Sequence, residues 1–249
     1  MKDLKEYINE GFKLSKNHKS IYQYVPNNKD ELADAIRKII AEFDKENDEV
    51  INLNVINTAK IKDMSWLFHD REFRKMSIYF DMSEWDVSNV TTMEYMFDGA
   101  NYTGEHGDIS NWDVSNVEDM SNMFRSCNYN GDISNWDVSN VKDMHEMFYV
   151  SFFTGKNGDI SKWDVSNVEN MQQMFMSSEF RGNLTKWRPE KCENMMYMFF
   201  GSHIMNNLEE WNIDFHKTSV YNMFKNIPFL KGIEASWYKE SKKRKKKTT

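Results

Sequence analysis

The chain has 249 residues, of which 29% are charged and 40% are hydrophobic, and its formal net charge is −7 at pH 7. This composition is typical of a water-soluble protein. No apolar run approaches the roughly 18 residues that a membrane span requires, so we expect no membrane contact. Cys127 and Cys192 are the only cysteines, which argues against a disulfide-rich secreted domain and favours a reducing compartment.

Residues 1–50 are predicted to be an N-terminal helical segment that caps the rest of the chain. We expect one helix over Leu4–Leu14 and a clearer one over Asn28–Asn47, where apolar residues share one face and Asn28 with Glu31 offers an N-terminal cap. The N-terminus lacks the apolar centre of a signal peptide. The expected location is therefore cytoplasmic or in a virion.

The string WDVSNV occurs four times, starting at Trp85, Trp112, Trp136 and Trp163. Two methionines and a phenylalanine follow at fixed offsets in each copy. Weaker copies begin near Ile56, Trp187 and Trp211, and the successive starting points lie 29, 27, 24, 27, 24 and 24 residues apart. This period identifies residues 51–225 as about seven tandem repeats of 24–27 residues.

Two spacing patterns alternate within each repeat. The Ile-x-x-Trp-x-Val part places apolar residues at every second position near its end, which predicts a short strand. The Val-x-x-Met-x-x-Met-Phe part has helical spacing and predicts a short helix or 3₁₀ turn, with the Ser of WDVSNV as its N-cap. One repeat cannot bury its own apolar side chains, so the expected fold is an α/β repeat solenoid, leucine-rich-repeat-like, with a helical N-terminal cap.

The chain after the repeats is predicted to have two parts. Residues 226–240 carry apolar residues that are expected to close the last repeat, and residues 241–249 are expected to form a basic disordered tail. The run KKRKKK, Lys242–Lys247, could contact nucleic acid nonspecifically by neutralising phosphates. A solvated tail without a partner is the alternative.

One exposed face of the repeats is the predicted binding surface. An Asp lies between the inward-facing Trp and Val of each clear copy, so these carboxylates should share the concave face with the residue before each Trp. The predicted surface consists of Asp86, Asn111, Asp113, Asn135, Asp137, Lys162, Asp164, Lys186 and Arg188. The alternative is that each Asp accepts hydrogen bonds from nearby Ser hydroxyls or backbone amides and only stabilises a turn.

Residues that could carry catalysis or bind a metal are scarce. The paired methionines could bind a soft metal ion, but they occupy the leucine positions of the template and are assigned to the core. The six histidines take different positions in the repeats, and no zinc-ligand spacing, nucleophile elbow, phosphate-binding loop or dinucleotide fingerprint occurs. We therefore predict no enzyme activity, no catalytic residues, no cofactor and no bound metal.

The run GDISNWDVSNV…M…MF at residues 107–124 and 131–148, with GDISKW at 158–175, resembles the bacterial surface protein repeat, a BspA-like branch of the leucine-rich repeats. The resemblance covers roughly residues 50–225. It implies a leucine-rich-repeat-like fold that binds proteins or cell surfaces, without enzyme activity. The N-terminal segment LKEYINEGFKLSKN is also similar to the leader of phage-encoded members.

These patterns together predict a non-enzymatic protein-binding solenoid that acts inside a cell or as a phage accessory or virion structural component. The alternative is an exported bacterial surface adhesin that binds a host protein or glycan. An enzyme accessory domain or a hydrolase is a third hypothesis, with no motif in its favour. The expected partner is a protein, and the sequence does not determine the oligomeric state.

Overall fold

The computed structural model of the protein describes residues 22–43, 50–69, 79–211, 213–227 and 235–245. Helix α1 spans Lys29–Glu42, and helix α2 spans Ser236–Lys245. Strands β1 (Val50–Asn52) and β2 (Tyr79–Asp81) pair in parallel and form a two-stranded sheet. No helix among the described residues is both long enough and apolar enough to cross a membrane.

The predicted α/β repeat solenoid, with a strand and a short helix in every repeat, is wrong. Besides the two helices and the small sheet, the described residues contain the 3₁₀ segments Ile160–Lys162 and Glu209–Trp211 and isolated parallel bridges between copies. Most of the described chain consists of turns and loops. The Ile-x-x-Trp-x-Val part forms two tight turns instead of a strand. One is closed by the N–H of Trp112 on the Ile109 carbonyl, and the next by the N–H of Val117 on the Val114 carbonyl.

The methionine-containing part of each copy is a run of turns, which we call the turn segment. The turn segments are residues 63–69, 92–100, 119–127, 143–151, 170–178, 194–202 and 219–227. The N–H of Met123 donates to Met120 within its own copy (3.3 Å), whereas the N–H of Met120 donates to Asp143 in the next copy (3.0 Å). An α-helix would direct all of these amides to carbonyls of the same segment. Bonds between copies therefore replace the predicted short helix.

Left-handed backbone angles also exclude a helix in the turn segments. Asn122 and Ser126 have φ values of 58° and 51°, and the residue equivalent to Ser126 in the next copy, Val150, has 51°. Glycine occupies this position in two copies, as Gly99 and Gly201. L-residues rarely adopt such angles and cannot continue a right-handed helix through them.

The apolar residues of the repeat form the core, as predicted. Trp136, Val141, Met144 and Phe148 are each at most 3% exposed. The phenylalanine rings stack from copy to copy, with 5.8 Å between the centroids of Phe124 and Phe148. Burial of these side chains is the main favourable contribution to folding.

The tryptophans connect neighbouring copies by hydrogen bonds as well as by packing. The indole N–H of Trp136 donates to the carbonyl of Ile109 in the preceding copy at 3.0 Å. The equivalent bond to the preceding copy is made by Trp85, Trp112, Trp163, Trp187, Trp211 and Trp237. Because a buried indole N–H needs an acceptor, this bond explains why the repeat uses Trp and no other aromatic residue here.

Helix α1 confirms the helix predicted near Asn28, although it ends at Glu42. The Asn28 side chain accepts the backbone N–H of Glu31, and the Glu31 carboxylate in turn accepts the N–H of Asn27. Leu32 and Ile36 face the core. The helix predicted over Leu4–Leu14 lies outside the described residues.

Helix α2 lies at the other end of the described chain. Trp237 is buried, and its indole takes the place that the Trp of a further copy would occupy. The helix continues to Lys245, so the first part of the basic run is helical, which corrects the prediction that it is disordered. Residues 246–249 lie outside the described part.

Candidate binding surfaces

The nine residues of the predicted binding surface are all exposed. Its aspartates are bound to serines two residues later in tight turns. Oδ1 of Asp113 accepts the backbone N–H and the hydroxyl of Ser115 at 3.1 and 2.6 Å, and Asp137 accepts the N–H of Ser139 at 3.0 Å. Hydrogen bonding to the side chain of Ser139, and next to its backbone N–H, holds the pKa of the Asp137 carboxyl below its ordinary value. The carboxylates therefore have a structural task, which the alternative interpretation of the sequence had anticipated.

The Ser and Asn of WDVSNV are also used by the fold. The Asn140 side-chain amide donates to the carbonyl of Ser115 in the preceding copy at 2.8 Å, and Asn116 and Asn167 make the same bond. No helix follows the Ser, so its prediction as a helix N-cap is wrong. The Asp, Ser and Asn residues of the motif thus each take part in a hydrogen bond within a repeat or between repeats.

The sixth copy departs from the motif and forms a cleft. Arg188 stands where other copies have Asp, and its guanidinium donates to the carbonyls of Thr185 and Trp187 at 2.9 and 2.8 Å. The cleft has a volume of about 970 Å³ and is lined by six carboxylates and three basic side chains, including Arg188. Lys162 and Lys186 are not part of its lining. The structure thus brings only one of the three predicted cationic residues to a concavity.

A second surface, which we call the turn face, lies on the outward side of the turn segments and was not predicted. Backbone bonds align equivalent residues across the copies, as from Trp66 to Glu94 and from Tyr95 to Ser121. The aligned residues with left-handed angles are Trp66, Tyr95, Asn122, Glu146, Gln173, Tyr197 and Asn222. The side chain at this position changes in size and charge between copies, whereas both flanking positions are methionine in the five middle copies.

Aromatic side chains and one arginine dominate the turn face. The rings of Trp66 and Tyr95 stack at 3.9 Å, and Trp66 is 44% exposed. Further along, the Arg125 guanidinium lies 3.0 Å from the Glu146 carboxylate and 5.5 Å from the ring centre of Tyr149. Both contacts restrain a long, otherwise flexible side chain.

The centre of the turn face contains a histidine with two polar neighbours. Nδ1 of His145 lies 2.8 Å from the Asp143 carboxylate, and Nε2 lies 2.9 Å from the side-chain nitrogen of Asn122. The hydrogen bond with Asp143 raises the pKa of His145 above its ordinary value. Among the described residues, the buried Oδ1 of Asn122 has no hydrogen-bond partner.

The remaining reactive side chains lie in the core. Cys127 and Cys192 are buried and not bonded to each other, and burial raises the pKa of each thiol to about 12. The paired methionines are buried as well. Within the described part of the chain, no three His, Cys, Asp or Glu side chains are grouped as metal ligands would be.

No curated protein and no solved structure matches the chain. A family model described as "Mycoplasma protein of unknown function, DUF285" matches it twice, over residues 37–153 and 129–237. The two overlapping matches include all four WDVSNV copies. The chain therefore belongs to this family, which is the family of the BspA-like surface repeat proteins.

Proposed function

We propose that the chain is a non-enzymatic protein-binding module and that the turn face contacts the partner. One observation supports this most strongly: the turn face combines an exposed tryptophan, half-buried tyrosines and a restrained arginine at positions that differ between otherwise similar copies. Side chains required by the fold recur in every copy. Outward side chains that differ from copy to copy are available for recognition.

The chemistry of the turn face matches that of protein interfaces. Trp, Tyr and Arg are enriched among the residues that contribute most to binding energy, and charged residues such as Glu and Lys are depleted at interface centres. Arg125 is already positioned by Glu146 and by Asp98, whose carboxylate lies 3.6 Å away. A restrained side chain loses less conformational entropy on binding than a mobile one.

The predicted surface along the aspartates remains a second proposal. Its nine residues are exposed, and the Lys162, Lys186 and Arg188 positions give its C-terminal part a different charge from its middle. Its aspartates, however, are repeated without change and are bonded to serines. We therefore rank it below the turn face as the contact surface.

Paired variants can separate the two surfaces. Tagged protein would be used to capture partners from a lysate of the source cells, with Trp66→Ala/Arg125→Ala as the turn-face variant and Asp113→Lys/Asp137→Lys as the comparison. Circular dichroism would verify that both variants fold. We expect the first variant to lose the partner captured by the wild type and the second to retain it. The opposite pattern would place the contact surface at the aspartates. If neither variant captures the partner, both surfaces contribute to binding.

The compartment in which binding occurs is a separate proposal. A role as an exported surface adhesin is supported by membership of the surface repeat family. The intracellular, phage accessory or virion role is supported by the N-terminal segment and by the basic run Lys242–Lys247, which could contact packaged nucleic acid. Digestion of intact cells with a protease, followed by detection of the chain, distinguishes them: degradation supports the adhesin, and protection supports the intracellular role.

A further inference from the structure

We propose that the last turn segment, residues 219–227, binds an extended acidic segment of a partner protein through its backbone amides. The inference rests on the proposed protein-binding function, but it concerns the backbone edge of the last copy and not the aromatic side chains and arginine of the turn face. In the inner copies, alternate amides of each turn segment donate to carbonyls of the next copy, as Tyr197 does to Tyr221 at 3.0 Å. After the last copy, no further copy supplies carbonyls within the part of the chain that the structure describes.

The backbone N–H groups of the last copy differ from those of the inner copies in their hydrogen bonds. Val220, Asn222 and Asn226 are equivalent to residues whose N–H groups bond to the next copy, yet their own N–H groups have no acceptor among the described residues. The N–H of Phe224, which lies between them, reaches the hydroxyl of Tyr238 in helix α2 at 3.5 Å. Val220 is only 7% exposed. A backbone donor that is buried without an acceptor costs free energy, so an acceptor brought by a ligand would be stabilising.

A groove lies along these amides. It has a volume of about 530 Å³ and runs between residues 215–222 and helix α2, where Tyr238, Ser241 and Lys242 line it. Val220 and Asn222, whose N–H groups lack an acceptor among the described residues, are lining residues of the groove. The groove therefore offers space next to the donors that lack acceptors.

The spacing of the donors identifies the backbone conformation of the occupant. Val220 and Asn222 are two residues apart, and in the inner copies such donors meet carbonyls that are also two residues apart, as in Ser219 and Tyr221. An extended chain presents the carbonyls of alternate residues on one side. Addition of an extended peptide to an open edge is a common mode of peptide recognition.

The charges around the groove identify the chemistry of the occupant. Lys242 and His216 line it, and no carboxylate is among its described lining residues. Lys225 is exposed nearby in the chain, and Lys217 lies 3.8 Å from the Asp214 carboxylate. The described lining of the groove thus contains the positive charge of Lys242 and no negative charge, although the whole chain carries a net charge of −7. An acidic segment fits it better than a neutral or basic one.

A peptide with the sequence of Asp143–Ser151, DMHEMFYVS, is a suitable probe. Within the fold, the carbonyls of Asp143 and His145 accept the N–H groups of Met120 and Asn122 in the preceding copy. The segment also carries two carboxylates. We would titrate it into the full-length protein and follow the backbone amides by NMR. The matched control is the same peptide with Asp143→Lys and Glu146→Lys.

Binding should shift the amide signals of Val220 and Asn222 and slow their exchange with solvent. Val220→Pro removes one donor and should abolish binding, whereas Val220→Ala keeps the donor and should bind like the wild type. Lys242→Glu, which leaves the backbone intact, should weaken binding about tenfold. The lysine-substituted peptide should bind more weakly than the acidic one.

Several outcomes would overturn the inference. They are the absence of shifts at Val220 and Asn222 at millimolar peptide, equal binding by Val220→Pro or Lys242→Glu, and slow exchange of these amides in the free monomer, which would mean that the chain itself covers them. Dimerisation through these amides in sedimentation experiments would make a second copy the occupant and would also overturn it. Trp66→Ala/Arg125→Ala should leave peptide binding unchanged, so failure of the groove and failure of the turn face are distinguishable.

Discussion

The WDVSNV segment and the turn segment belong to the same repeat but use their side chains in opposite ways. In WDVSNV, the side chains of Trp, Asp and Asn make the bonds that connect or shape the copies, as at Trp136, Asp137 and Asn140. In the turn segment, backbone amides connect the copies, as between Met120 and Asp143. The residues of WDVSNV must therefore stay the same from copy to copy. In the turn segment, the residues whose side chains point outward can differ.

This difference shows why a repeated motif is a poor guide to a binding surface. Residues are repeated without change where the fold depends on their side chains. A binding surface needs positions where backbone hydrogen bonds maintain the fold and the side chain is free to vary. Trp66 and Tyr95 occupy such positions. Four stability measurements test this division.

The largest effect is expected at a tryptophan of the motif. Trp136→Ala should lower the free energy of unfolding by about 3–5 kcal/mol, because it removes a buried ring and leaves the Ile109 carbonyl without its donor. Trp66→Ala, in the exposed part of the turn face, should cost about 1 kcal/mol or less. Urea denaturation of both variants measures the contrast. Equal losses would mean that the turn face is as structural as the motif.

A smaller effect is expected at the aspartate after that tryptophan. Asp137→Ala should cost about 0.5–1.5 kcal/mol because the Ser139 amide loses its acceptor. Asp137→Asn keeps an acceptor oxygen and should cost less. Since the folded pKa of Asp137 is lowered, its contribution is present above the unfolded pKa of about 3.9 and is lost as the pH falls. If the urea midpoints of the Ala variant and the wild type are equal at pH 7, the aspartate has no structural role.

In the turn segment, we expect glycine to stabilise the fold where it replaces a residue with a left-handed backbone angle. Val150 has a φ of 51° and is 41% exposed, and Gly99 and Gly201 occupy its position in other copies. Val150→Gly should raise the free energy of unfolding by about 0.5–1 kcal/mol, because the relief of strain exceeds the entropy that glycine gains in the unfolded chain. Val141→Gly in the core is the matched control and should be strongly destabilising. A thermal melt that shows both variants destabilised would contradict the strain at Val150.

The smallest effect is a pH dependence on the turn face. The pKa of His145 is raised mainly by its hydrogen bond with Asp143, with Glu146 and Asp119 adding to it. The stabilisation from a raised histidine pKa is fully present below the unfolded pKa of about 6.5 and is lost as the pH rises through the folded pKa. The wild type should therefore lose a little stability between pH 6 and pH 8. His145→Gln should reduce the slope of stability against pH. An unchanged slope would mean that a residue other than His145 causes it.

Much of the core could be predicted because it depends on local sequence alone. The recurrence of Trp, Val, Met and Phe at fixed offsets identifies buried positions whatever the backbone conformation, and Trp136, Met144 and Phe148 are buried as expected. Helix α1 was predictable for a similar reason. Its cap at Asn28 and its apolar stripe are contacts between residues near each other in the chain.

The strand and helix of each repeat were predicted wrongly because their spacing has more than one structural explanation. Val-x-x-Met-x-x-Met-Phe suits a helix, but a run of turns whose residues at two positions have left-handed angles buries the same side chains. A helix of two turns is marginal by itself. Amides that bond to a neighbouring copy some 24 residues away decided the outcome, and spacing within one copy contains no information about them.

The sequence by itself determined the repeat, its period, its buried residues and its family resemblance, since each depends only on which side chains recur and at what interval. The tertiary structure alone decided where the surfaces lie. It showed that the aspartates are bonded to serines, that Trp66, Tyr95 and Arg125 share one face, and that the N–H groups of Val220 and Asn222 have no acceptor among the described residues. The physical reason is that these relations are contacts between copies, and backbone hydrogen bonding across copies leaves no pattern in the letters of any one of them.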